Sequence, residues 1–113
     1  MLLDIGEKVH VIERRLFDTD VRRHFFGVIE RVEATAIRVT GYFFIYDPSS
    51  TTFVRGDKQR TRVMPLATSD LIINVAPSET RLEDVRYVDE SGQLIVTDGG
   101  AFSLDINEFG LFR

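Results

Sequence analysis

The sequence predicts a small all-β domain built as a barrel or a sandwich. Apolar and polar residues alternate with a period of two along most of the chain, in short runs. Gly, Pro, Asp and Ser, which are typical of turns, separate these runs at close intervals. At 113 residues the chain has room for one domain. A domain of this size buries a modest fraction of its surface, so association with further copies would stabilise it.

Residues 1–77 are predicted to form a small β-barrel. The predicted strands, in chain order, are residues 8–14, 25–33, 37–46, 52–55, 61–66 and 70–76. The second and third strands are long, and the three residues between them predict a hairpin. Gly27 and Gly41 lie within these two strands and predict bulges or tight bends that let the sheet curl. Pro77 ends the last strand.

Residues 78–113 are predicted to form a β extension that packs on the barrel or on a neighbouring subunit. Thr80 and Glu83 have the spacing of a helix capping box, which predicts one or two turns of helix at most. Three strands follow, at residues 86–88, 94–97 and 102–106, separated by turns that contain glycine. A lone meander of this size is marginal in water, so the two parts are expected to form one domain.

The charge of the chain is divided along its length. Residues 1–65 hold 11 Lys and Arg against 9 Asp and Glu, whereas residues 66–113 hold 3 against 9, for a net charge of −4. The absence of cysteine excludes disulfides, thiolate zinc sites and cysteine nucleophiles. No apolar stretch approaches the roughly 20 residues that a membrane helix needs, and no secretion signal is evident. A cytoplasmic protein without a membrane partner is therefore expected.

A family resemblance extends over about residues 6–76. An opening Gly-Glu-Lys-Val-His-Val precedes two long bent strands and a hairpin, and two strands then flank a brief turn at residues 67–69. This order resembles the SH3-like small barrels and, within them, the Sm-like proteins. Val54-Arg55-Gly56 is similar to the hydrophobic-Arg-Gly signature of the second Sm motif, which helps to form the RNA-binding loop of a ring in that family. The chain departs from the first Sm motif at residues 33–36, where it has Glu-Ala-Thr-Ala. The resemblance implies ring formation and RNA binding.

Clusters of basic residues form the candidate site for a polyanion such as RNA or single-stranded nucleic acid. They are Arg14, Arg15, Arg22, Arg23, Arg55, Lys58, Arg60 and Arg62. Guanidinium groups suit phosphate oxygens, and each neutralised phosphate releases counterions. The alternative is a solvated barrel rim in which these residues form ion pairs with Asp18, Asp20 and Asp57.

A row of aromatic side chains is predicted on one face of the strand at residues 37–46. Tyr42, Phe44 and Tyr46 share this face with Arg38 and Thr40. Rings of this kind stack on bases in RNA-binding sheets. The alternative is that the extension or another subunit covers them, because an exposed row of aromatics usually marks an interface.

The sequence predicts neither catalysis nor a bound metal or other cofactor. His10 and His24 are the only histidines, and no helix or turn spacing brings them together or joins them to Asp4 or Asp18 as a ligand set. The chain has no Gly-x-Ser-x-Gly elbow, no phosphate-binding glycine loop and no histidine beside an obvious nucleophile.

Two main functions follow from these patterns, and a third class, a small-ligand barrel, would require a cavity. The first is a non-enzymatic homo-oligomer that joins through the edges of its strands and contacts nucleic acid through its basic residues. The alternative is a protein-interaction or regulatory adaptor, in which the basic half meets the acidic half of another copy or of a protein partner. That contact would require Asp89, Glu90 and Asp98 to form ion pairs with the basic loops.

Overall fold

The computed structural model describes residues 2–68 and 70–106, and it confirms the prediction that the fold is all-β. The strands in this part of the chain are β1 (Lys8–Glu13), β2 (Arg23–Val32), β3 (Ala36–Asp47), β4 (Thr52–Arg55), β5 (Arg60–Pro65), β6 (Leu71–Ala76), β7 (Arg86–Glu90), β8 (Gln93–Thr97) and β9 (Ser103–Asp105). Within those ranges no helix is long and apolar enough to cross a membrane. Residue 69 of the predicted turn and residues 107–113 of the predicted extension lie outside the described residues.

The first six strands form one antiparallel sheet. Its order is β6-β1-β2-β3, and β4 and β5 share the position beyond β3, because each pairs with a different half of that long strand. One face of the sheet encloses a core that includes Val9, Phe25, Ile37 and Met64. Because strands from both ends of the sheet contribute to this inner core, the sheet curls around it. Among the described residues β5 and β6 do not pair with each other, and no closed barrel is formed.

Two glycines permit a close approach of β2 and β3. Gly27 on β2 lies directly opposite Gly41 on β3. A Cβ atom added to Gly41 would lie 2.0 Å from the carbonyl oxygen of Phe26 and 2.5 Å from the Cα of Gly27. The glycines therefore serve the close approach of two backbones. The bulge lies further along β2, where the register shifts between Ile29 and Arg31 and Glu30 is the extra residue.

Strands β7, β8 and β9 form a second antiparallel sheet, which packs on the outer face of the first. The core between the sheets is largely aromatic. Its buried members are Phe26, Tyr42, Phe44, Phe53, Ala76, Val85, Tyr87, Val96 and Phe102. Because the two sheets share this core, the described part of the extension is joined to the first sheet through apolar burial.

The predicted capping box at Thr80 is wrong. The chain forms only a 3₁₀ turn, Leu82–Asp84, which no side chain caps. Thr80 is fully buried, and its Oγ1 has no hydrogen-bond partner among the described residues. The Glu83 carboxylate instead accepts hydrogen bonds across the sheet interface, from the Tyr42 hydroxyl at 2.7 Å and from Gln59 Nε2 at 3.2 Å. Tertiary partners have replaced the local cap.

Candidate functional site

Three unpaired cations lie together at β5, and we call Lys58, Arg60 and Arg62 the basic edge. None of them forms an ion pair with an acidic side chain in the part of the chain that is described. Arg60 Cζ lies 5.5 Å and Arg62 Cζ 5.6 Å from the centroid of the half-buried Phe43 ring. A guanidinium over an aromatic face is held electrostatically while its outward donors stay free. The basic edge is therefore ready to receive an anion.

The predicted basic residue Arg55 belongs to a different surface. Arg55 Cζ lies 4.4 Å from the Tyr42 ring centroid, and its Nη1 donates to the carbonyl oxygen of Glu83 at 3.0 Å. These contacts join β4 to the 3₁₀ turn of the extension. The neighbouring Gly56 packs on the Phe43 ring, where a Cβ atom would lie 2.4 Å from Cε1. The structure thus uses Arg55 as a contact between the first sheet and the 3₁₀ turn.

The arginines at residues 14–23 are not equivalent. Arg22 is half-buried, with Cζ 4.8 Å from the Tyr46 ring centroid and 5.3 Å from that of Phe53. Arg15 Nη1 donates to the Asp18 carbonyl oxygen at 3.0 Å. Arg14 and Arg23 are exposed at the ends of β1 and β2. Arg14, Arg15 and Arg23 line one surface depression, whereas Arg22 is held against two aromatic rings.

Asp20 shapes the loop that carries these arginines. Its Oδ2 accepts hydrogen bonds from the backbone N–H groups of Leu16 and Phe17, at 3.1 Å each. The Asp20 carboxylate thus caps backbone donors, and within the described part of the chain it does not form the predicted ion pair with a basic side chain. No ion pair of Asp18 or Asp57 is found among the described residues either.

The aromatic row on β3 is covered by the second sheet. Tyr42 and Phe44 are buried, and Tyr46 is half-buried. The Phe44 ring lies 5.2 Å from that of Tyr87 in an edge-to-face arrangement. A ring enclosed in this way cannot stack on a base. The geometry therefore favours the alternative that the extension covers these residues over the prediction that they stack on bases.

A buried cluster of two histidines and a tyrosine, which the sequence did not predict, lies between the sheets. Tyr87 Oη is 2.9 Å from His10 Nε2 and 2.5 Å from His24 Nδ1. The two imidazole rings are 5.1 Å apart. The register of β1 on β2 places Ile12 opposite His24, so His10 is a diagonal neighbour of His24 on the same face. The expectation that the two histidines lie apart is wrong.

Burial keeps this histidine–tyrosine cluster neutral. Desolvation lowers the pKa of His10 to about 4. Desolvation, with smaller contributions from the charges of His10 and Arg22, lowers the pKa of His24 to about 3. Burial also raises the pKa of Tyr87 well above its usual value. At neutral pH the hydroxyl therefore donates to one imidazole nitrogen and accepts from the N–H of the other.

The cluster links the two sheets through its hydrogen bonds. Residues 2–68 and 70–106 contain no group of three or more His, Cys, Asp or Glu side chains that could hold a metal ion. Phe53 stacks on the His24 ring at 4.2 Å, and Phe102 lies 6.4 Å from His10. Enclosed by these rings, both imidazoles are out of reach of a substrate in solution.

Asp98 is not available for a contact between subunits. Its buried carboxylate accepts backbone hydrogen bonds from Arg81, Gly100 and Phe102 at 2.8–3.0 Å. These bonds, that from Arg81 foremost, lower its pKa. Asp89 accepts a hydrogen bond from the Gly92 N–H at 2.9 Å, and Glu90 is exposed. Of the three predicted acidic residues, these two are therefore the ones that could form an ion pair with a basic loop.

Comparison with known proteins gives no match. No family model, no curated protein and no solved structure is significantly similar to this chain. The function must therefore be inferred from the geometry described above.

Proposed function

We propose that the chain is a non-enzymatic, oligomeric β module that contacts RNA or single-stranded nucleic acid through its basic edge. We further propose that it is a small barrel of the SH3-like and, in particular, the Sm-like kind. The curled antiparallel sheet and the apolar core inside it support this second proposal. The burial of both imidazoles supports a function without catalysis.

The observation that carries the assembly is that, among residues 2–68 and 70–106, no strand pairs with the outer edge of β5 or of β6. Large apolar side chains on these strands are exposed: Val63 by 67%, Ile72 by 41% and Val75 by 51%. Leu66 N–H bonds to the Thr35 carbonyl oxygen, so the alternation of an antiparallel strand directs the N–H and C=O of Val63 away from β3. An open edge with exposed apolar residues pairs readily with another chain.

Such an assembly would be head-to-tail. Joining β5 of one copy to β6 of the next uses two different surfaces, and contacts of this type generate a ring when the rotation between copies closes. Each copy would then contribute one basic edge to the assembly. Repetition of this local positive charge would strengthen the hold on a polyanion although the whole chain has a net charge of −4.

The assembly is tested by placing a charge on the open edge. Val63→Lys should convert a discrete oligomer to a monomer, because an edge lysine opposes strand pairing. Leu16→Lys is the matched control, since Leu16 is 77% exposed but lies in the loop after β1. The mass of each variant is measured by light scattering after size-exclusion chromatography. A monomeric parent protein would refute the proposed assembly.

The nucleic-acid contact is tested by removing the basic edge. The triple variant Lys58→Ala, Arg60→Ala, Arg62→Ala should weaken the binding of a labelled oligouridine RNA, measured by fluorescence anisotropy. The slope of log affinity against log salt should fall by about 2, since each phosphate contact to a single strand contributes roughly 0.7. The triple variant Arg14→Ala, Arg15→Ala, Arg23→Ala removes the same charge from the other cluster. An equal loss in both variants would show that binding depends on net charge and not on the basic edge.

A further inference from the structure

A local conflict of charge lies at the bulge of β2, on the outer face of the first sheet. The regular register pairs Ile29 with Val39, and its continuation would place Glu30 opposite Arg38. The bulge shifts the register so that Arg31 lies opposite Arg38 instead. Opposite charges across an antiparallel pair stabilise a sheet, whereas like charges destabilise it. The sheet has thus replaced a favourable pair with an unfavourable one.

The neighbouring acidic residues do not resolve this conflict at Arg38. Glu30 Oε2 accepts a hydrogen bond from the Thr40 hydroxyl at 2.7 Å. Arg31 Nη2 is paired with Glu33 Oε2 at 2.8 Å, and both side chains are well exposed. Arg38 is exposed and has neither a hydrogen bond nor an ion pair from its side chain within the described ranges. Bulges often re-aim a side chain next to a functional site.

An open surface cavity of about 290 Å³ is lined by both arginines. Its lining combines Arg31, Glu33 and Arg38 with Ala36 and Val63, and with Ile37, whose side chain is buried in the inner core. Val63 is directly opposite Arg38 across β3 and β5, so an apolar surface adjoins an unpaired guanidinium. The volume is just below the range for small-molecule sites, roughly 300–1,000 Å³, so it suits a small ligand.

We propose that this cavity binds the carboxylate of a small aliphatic acid, with Arg38 as the anchor and the apolar part of the ligand on Val63 and Ala36. The planar guanidinium fork of Arg38 matches a carboxylate in a bidentate geometry. Glu33 is part of the lining, and its charge repels a more highly charged anion such as a phosphate more strongly than a carboxylate. The ligand is either a free acid or the C-terminal residue of a peptide. Unlike the basic edge, which lies over Phe43 on the inner face, this site faces outward.

The proposal is tested by titrating the protein with N-acetyl-L-valine and following backbone amide shifts by NMR. N-acetyl-L-valinamide has the same apolar group but no carboxylate, so it should bind at least about tenfold more weakly. Arg38→Gln should weaken the binding of the acid by about tenfold or more, and Arg38→Lys should give an intermediate affinity because it keeps the charge but loses the fork. Glu33→Gln should strengthen binding several-fold, since it releases Arg31.

The controls separate this site from the proposed assembly. Arg23→Gln removes an exposed arginine at the far end of β2 and should leave binding unchanged. Light scattering on each variant shows whether the oligomer persists, so loss of ligand and loss of assembly are distinguished. If a peptide that ends in valine binds more tightly than N-acetyl-L-valine, the ligand is a peptide C-terminus. If N-acetyl-L-valine binds more tightly, the ligand is a free acid. Equal shifts with the acid and the amide, or an Arg38→Gln variant that binds as the parent does, would overturn the proposal.

Discussion

Acidification should destabilise this protein well above the pH at which carboxylates titrate. His10 and His24 have an ordinary pKa of 6.5, and burial lowers it to about 4 and about 3 in the folded state. Between these limits the unfolded chain binds protons that the folded chain excludes. The free energy of unfolding is therefore highest above pH 6.5, where both imidazoles are neutral in either state, and it declines as the pH falls and the unfolded chain binds protons.

The size of the effect follows from these pKa values. One pKa unit corresponds to about 1.4 kcal/mol, so each imidazole lowers the free energy of unfolding by about 2 kcal/mol between pH 7 and pH 5. Together they remove about 4 kcal/mol, against the 5–15 kcal/mol that is typical of a whole domain. Asp47 and Asp98, whose pKa values hydrogen bonds depress below 3.8, lose their contributions only at lower pH. The window from pH 5 to 7 thus isolates the histidines.

Urea unfolding followed by circular dichroism at several pH values measures this slope. The parent protein should lose about 2.7 kcal/mol per pH unit below pH 6, which corresponds to two protons. His24→Phe keeps a ring stacked on Phe53 but cannot titrate, so its slope should be about half. This comparison is valid even though the variant is less stable at every pH. A parent slope near zero, or an unchanged slope in His24→Phe, would refute the placement of neutral histidines between the sheets.

Four further substitutions probe the close approach of β2 and β3 and the contacts of the extension with the first sheet. Gly41→Ala should cost about 3 kcal/mol in urea unfolding because its Cβ meets backbone atoms of β2, whereas Gly92→Ala, at a turn with open space and a φ of +84°, should cost about 1 kcal/mol. Tyr87→Phe should cost about 1–3 kcal/mol in the same assay, since it leaves two buried imidazoles without their shared partner. Glu83→Gln should lower the pKa of Tyr42, which the hydrogen bond to Glu83 raises, and the change is measured by the ultraviolet absorbance of phenolate.

The strands could be predicted from the sequence because their signals are local. Alternation with a period of two identifies strand faces, and turn residues mark strand ends, so each observed strand lies within two residues of its predicted position. The wrong turn at Thr80 shows where local signals fail. Its capping-box spacing is real, but Glu83 has stronger partners on β3 and in the turn before β5.

The histidine–tyrosine cluster could not be predicted because it depends on register. The loop between β1 and β2 covers residues 14–22, which is too long for its turn type to fix which residues face each other. Alternation along β1 puts His10 on the face opposite that of Val9 and Val11, but it does not show that this second face is also buried. Similarly, the bulge at Glu30 leaves no mark in the sequence, although it decides that Arg38 faces a second arginine.

The second sheet determines which residues remain free for partners. It buries Phe44 and most of the aromatic row, and it also engages Arg55, so the predicted stacking surface is used inside the molecule. Phe43 points to the other face of β3, where Arg60 and Arg62 lie over its half-buried ring. If a base stacks on this protein, Phe43 is therefore the ring in the best position, and the arginines above it would move to the phosphates. Phe43→Leu should then weaken RNA binding while leaving the salt dependence unchanged, because stacking contributes no counterion release.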